Sequence, residues 1–60
     1  QSFHILGTDL RTGMLMTCTD ETLREVSQIV PGEGFAELCL WFTDGHNDVT
    51  YTDTTIEVWI

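Results

Sequence analysis

Apolar and polar residues alternate most clearly between Phe35 and Thr43. Ala36, Leu38, Leu40 and Phe42 fall on one side of this stretch, and Phe35, Glu37, Cys39, Trp41 and Thr43 on the other. A period of two is that of a half-buried β-strand. Ser2–Leu6 reads as a second strand, and the glycine-bounded stretch from Gly7 to Gly13 as turn chemistry. Met14–Cys18 reads as the returning strand, with Met14, Met16 and Cys18 on one face. Together they predict an N-terminal hairpin. Between Thr19 and Pro31 the pattern changes. Leu23, Val26, Ile29 and Val30 recur at i, i+3, i+6 and i+7, which predicts a helix of about three turns. Thr19 or Asp20 would cap it, with Asp20 and Glu21 at its positive end, and Pro31-Gly32 would stop it. Asp44–Asp48 has the composition of a hairpin loop. Val49–Ile60 is rich in Thr, Val, Ile, Tyr and Trp and is too long for one straight strand, so a bend, bulge or break is expected near Asp53-Thr54-Thr55. The expected fold is a small two-layer α+β domain over residues 1–60, an antiparallel sheet in β-β-α-β-β order with one helix on one face.

One helix covers one side of such a sheet. With an unbulged last hairpin, Ala36, Leu38, Leu40, Phe42, Ile56, Val58 and Ile60 would face the helix. Phe35, Glu37, Cys39, Trp41, Tyr51, Glu57 and Trp59 would form the uncovered face. A face with two tryptophans, a tyrosine and two glutamates has the composition of a binding hot spot. Glu37, Trp41, Tyr51, Glu57 and Trp59 are therefore the candidate partner-binding residues. Asp20, Glu21 and Glu25 at the expected helix start form a second acidic patch. The apolar stretch Ile56–Ile60, read as an edge strand, adds homodimer formation to the expectations.

Composition narrows the partner. The 60 residues carry ten acids, two arginines and no lysine, a formal charge of −8. Nucleic-acid and anionic-membrane surfaces are gripped by Lys and Arg, so neither is an expected direct partner. Schiff-base and P-loop lysine chemistry are absent with the lysine. At 42% apolar residues and one proline, the chain can build a core and is not of disordered composition. No apolar run approaches a membrane span and no basic-then-apolar leader is present, so a cytoplasmic location is expected. Cys18 and Cys39 lie among apolar neighbours with no metal-ligand spacing. Two free buried thiols and one disulfide are both open on the sequence.

The remaining groups do not assemble a reaction centre. Asp44, His46 and Asp48 share a loop, but without the alternation and distal glutamate of a calcium loop or further nitrogen and sulfur ligands for zinc. Neither Ser2 nor Ser27 has the sequence context of a nucleophile, and Gly32-Glu33-Gly34 would repel a phosphate. No metal, no cofactor and no enzymatic activity are expected.

The expectation is thus a non-enzymatic acidic binding protein whose carboxylates steer it to a protein with a basic surface. In size, charge and hairpin-helix-strand order the chain is similar to small viral DNA-mimic inhibitors, such as those of uracil-DNA glycosylase, and in character to small anti-CRISPR proteins. The similarity is one of class and rests on no shared motif. It implies an inhibitor of phage type that occupies the nucleic-acid-binding surface of an enzyme in the host cytoplasm. The alternative is a small structural or assembly subunit that works by self-association, its acidity reflecting a high-salt environment.

Overall fold

The computed structural model describes residues 1–60 and contains six β-strands and no α-helix. The strands are β1 (Ser2–Leu6), β2 (Leu15–Thr17), β3 (Leu23–Pro31), β4 (Glu37–Phe42), β5 (Asn47–Tyr51) and β6 (Thr55–Trp59), with a single 3-10 turn at Gly7–Asp9. All pair antiparallel, in the order β1-β6-β2-β3-β4-β5. The architecture is therefore all-β, and the expected α+β fold with a helix on one face is corrected.

The correction lies in β3. Val26 opposes Phe42, but the next pair is Gln28 with Trp41, so Ser27 is an extra residue on β3. Before this bulge Val26 faces inward, and after it Ile29 does, three positions on rather than two. A bulge shifts the side-chain alternation by one. It thereby gives a strand the three-residue spacing of a helix. The β-branched residues Val26, Ile29 and Val30 suit this strand better than a helix. Asp20 caps a tight turn instead of a helix. Its Oδ1 accepts from the Thr22 amide at 3.2 Å and the Thr22 hydroxyl at 2.6 Å. The Cys18 amide donates to the Thr22 carbonyl across that turn at 2.8 Å.

The N-terminal hairpin is also corrected. β1 and β2 do not pair, because β6 lies between them, matching Phe3 with Val58 on one side and Met16 with Val58 on the other. β6 is thus an inner strand, not an edge. The edges are β1 and β5. The break expected in the long C-terminal stretch falls at Thr52–Thr54, between β5 and β6.

That short connection forces the sheet to roll up. In a flat sheet the four spacings from β6 through β2, β3 and β4 to β5 would separate those strands by roughly 19 Å. The chain from Tyr51 to Thr55 reaches only about 14 Å. The sheet accordingly curls into a partly open barrel. The Gly7 amide donates to the Thr54 carbonyl at 2.9 Å and the Thr8 amide to the Thr52 carbonyl at 3.0 Å, fastening the end of β1 to the β5–β6 turn. A side chain at Gly7 would collide with the Tyr51 carbonyl, so glycine is required by this close approach.

The interior is filled by Leu10, Met16, Cys18, Val26, Leu40, Phe42, Ile56 and Val58, with Ile5, Met14, Ile29 and Leu38 packed against them. Leu38, Leu40, Phe42, Ile56 and Val58, expected to face a helix, face one another across the barrel. Ile60 is exposed, and Ala36 stands in a turn at φ 58°. Cys18 is buried inside, Cys39 is half-buried on the outward face of β4, and both are free thiols.

Candidate docking face

Two outward rows cross β3, β4 and β5, and a third joins β4 to β5. Register aligns Gln28, Trp41 and Asn47 in one row, and Val30, Cys39 and Val49 in the next. Glu37 and Tyr51 pair in the third. Trp41 and Tyr51 are each 44% exposed, and Val49 is 46% exposed. Trp41 borders a depression of about 230 Å³ shared with Cys39, Asn47 and Val49. Phe35, 97% exposed, projects from the turn before β4. Apolar side chains left this open on three adjacent strands make a patch rather than scattered exposure.

Glu37 rims the patch. Its carboxylate lies over the turn that precedes β4, where a Cβ on Gly32 would overlap it. The Gly32 amide donates to the Glu37 carbonyl at 2.9 Å, closing the same turn. No arginine pairs with Glu37. Arg11 donates to the carbonyls of Thr8 and Leu10, and Arg24 to Asp20 and Asp44.

Glu57 and Trp59 also face outward, as expected, but on another wall of the barrel, with β2 and β3 between them and Trp41. They belong to a hydrogen-bond network. Glu57 accepts from Thr17 Oγ1 at 2.7 Å and Ser2 Oγ at 3.1 Å, while Trp59 Nε1 donates to Thr17 Oγ1 at 2.8 Å. The Thr17 hydroxyl, followed by that of Ser2 and the charge of His4, holds the Glu57 carboxyl below its ordinary range. Glu57 thus braces β1 against β2 across β6. The five candidates divide into Glu37, Trp41 and Tyr51 on one wall and Glu57 and Trp59 on another.

The second acidic patch divides too. Thr22, through its hydroxyl and then its amide, together with Arg24, lowers Asp20 from 3.8 to about 2. Arg24 reaches Asp20 at 3.0 Å and Asp44 at 2.9 Å, clasping the β2–β3 turn to the β4–β5 turn. The His46 amide, with Arg24 and the His46 ring behind it, lowers Asp44. Glu21 is exposed at φ 68° in the β2–β3 turn, and Glu25 lies outward on β3 opposite Leu15. None of the three stands at a helix start.

Val30, Val49 and Phe35 complete the patch. The helix reading of β3 hides Val30; Val49 opens the last extended stretch and shares the parity of Tyr51, a signal that could have placed it; Phe35 stands in a turn rather than on the strand face. No group of three or more His, Cys, Asp or Glu side chains is placed to hold a metal ion. No helix is long and apolar enough to cross a membrane. The chain matches no protein-family model, no curated protein and no solved structure. The similarity of element order to DNA-mimic inhibitors falls with the helix, leaving likeness of size and charge.

Proposed function

We propose that the chain is a non-enzymatic acidic binding protein that docks the outward face of β3–β5 on a basic protein surface. The observation that carries this reading is the contiguous row set of Trp41, Val49 and Tyr51, open to solvent and rimmed by Glu37, in a molecule of charge −8 whose two arginines are both engaged. Aromatic anchors supply contact area that excludes water, and the carboxylates steer encounter. Basic protein surfaces are most often nucleic-acid-binding surfaces, so a competitor for such a surface is the sharpest form of the reading.

Capture by immobilised protein at moderate salt tests it. A basic nucleic-acid-binding protein should be retained by wild type, released as salt rises, and lost with Trp41→Ala and with Glu37→Lys. Retention unchanged in both variants would place the interface elsewhere. Loss with Trp41→Ala alone would leave packing without charge steering and remove the competitor form.

A second reading, self-association, is favoured by β1. This edge strand carries no Asp, Glu, Lys, Arg or proline, and its ladder with β6 has no bulge. It therefore lacks the usual protections of an edge. Gly7 donates to Thr54, and Ile60 to Gln1, so the odd-numbered residues bond to β6 and the groups of Ser2, His4 and Leu6 turn outward. Sedimentation over a concentration series should then show a dimer that His4→Pro abolishes. A monomer throughout would dismiss the second reading.

A further inference from the structure

One wall of the barrel is incomplete. β2 pairs with β6 only at Leu15 and Met16, opposite Trp59 and Val58. Nearer the start of β6, its backbone from Thr55 to Glu57 has no strand on that side, and β5 stands across the gap, joined to β6 by the Thr52–Thr54 turn. The gap is a cleft of about 300 Å³. Its floor is apolar, formed by Met16, Leu40 and Ile56, each at most 5% exposed.

The lining above that floor is rich in hydrogen-bonding groups. Asp48 on β5 and Glu57 on β6 both line it, together with His4, the partner of Glu57 in the β1–β6 ladder. Asp48 accepts from the Val49 amide at 2.7 Å and from Thr19 Oγ1 at 3.5 Å, which leaves acceptor capacity on its oxygens. Thr50 lines the cleft at 9% exposure, the buried polar residue of the chain, and its hydroxyl bonds to nothing within the protein. No buried side-chain oxygen or nitrogen of the chain lacks a partner, so this hydroxyl meets solvent, and it does so through the cleft.

We propose that the seam between β5 and β6 binds one organic cation, an alkylammonium or alkylguanidinium group of the size of a lysine or arginine side chain. The apolar floor takes the methylene stem, and the carboxylates and Thr50 accept from the charged head. A volume near 300 Å³ lies at the small end of ligand pockets, enough for such a group and too small for a larger cofactor. Neither arginine of the chain fills it, since Arg11 is spent on backbone carbonyls and Arg24 on Asp20 and Asp44. The cation has two sources, a free amine or guanidine and a side chain of a protein partner. The cleft shares Val49 with the docking face but includes none of Glu37, Trp41 or Tyr51.

Amide chemical shifts of the ¹⁵N-labelled chain, followed during titration with n-butylguanidinium and n-butylammonium, test the proposal, with neutral N-butylurea as control. The expected result is saturable shifts confined to Val49–Thr50 and Thr54–Glu57 at millimolar ligand. Affinity should fall roughly tenfold in Asp48→Asn and in Thr50→Val and stay unchanged in Trp41→Ala. Blocked arginine amide separates the sources. Binding equal to butylguanidinium supports a partner's side chain, and weaker binding supports a free small cation. Equal binding of N-butylurea, shifts spread over every carboxylate, or undiminished binding in both cleft variants, each with native spectra, would overturn the proposal.

Discussion

Asp20 stays ionised well below the range of a free aspartate because Thr22 donates twice to it and Arg24 sits beside it. A carboxyl whose pKa is lower in the folded than in the unfolded chain contributes stability that is fully present above the unfolded value and lost as pH falls. For Asp20 the window runs from 3.8 down to about 2. Asp20→Asn should therefore lower the urea midpoint at neutral pH, and the gap from wild type should close as pH passes below about 2. A gap independent of pH would assign the effect to turn geometry rather than charge. Gly7 makes the opposite kind of contribution, through the absence of atoms. Gly7→Ala drives a methyl into the Tyr51 carbonyl and should cost about 1–3 kcal/mol by chemical denaturation, the range of an overpacked site.

At the scale of elements, the bulge at Ser27 decides both the shape of β3 and how it reads. Deleting Ser27 would place Val26 and Ile29 in simple alternation and keep both facing inward. The local bend would be lost, and with it part of the curl that brings β5 toward β6. The deletion should leave a β-type circular dichroism spectrum but lower the melting temperature and weaken the Gly7 and Thr8 bonds to the β5–β6 turn, visible as faster amide exchange at those two residues. Unchanged exchange would show that the bulge does not set the curl. The same residue explains what the sequence could reveal. The inward set of β4 and β6 and the outward set of Glu37, Trp41, Tyr51, Glu57 and Trp59 were legible, because strand parity is a local property. The helix reading of β3 failed because the bulge gives Val26 and Ile29 a helical spacing and because Leu23 and Val30, which complete the apparent stripe, are exposed on the outward face. The division of the outward residues between two walls was illegible because it depends on β6 entering between β1 and β2. The seam cleft was illegible for a related reason: it exists because β2 stops short of Thr55 on β6, a relation between distant parts of the chain.

The whole molecule has a radius of gyration of 10.4 Å, the value expected of a compact 60-residue domain. Its core of eight buried apolar residues is small. Sixty residues carry a stability of roughly 3–9 kcal/mol. Leu40→Ala, at a fully buried site, removes about 2–5 kcal/mol and should leave a large unfolded fraction at 37 °C, read by calorimetry. Net charge acts over the same scale. Screening the self-repulsion of a −8 molecule should raise the melting temperature from low to moderate salt, although it weakens the Arg24 clasp. A fall in melting temperature would rank the clasp above the repulsion.

The position of β6 between β1 and β2 also sets a clock. Ser2 pairs with Trp59, and every β1 partner lies on β6. Pairing so remote in sequence forms slowly, because closing a long loop loses entropy before contacts offset it. The β3–β4–β5 meander can assemble from neighbours, while β1 waits for β6 to arrive. Refolding should therefore show amide protection in β4 and β5 ahead of β1. During synthesis β1 is made well before β6, and until β6 arrives the uncharged strand Ser2–Leu6 stays available to other chains.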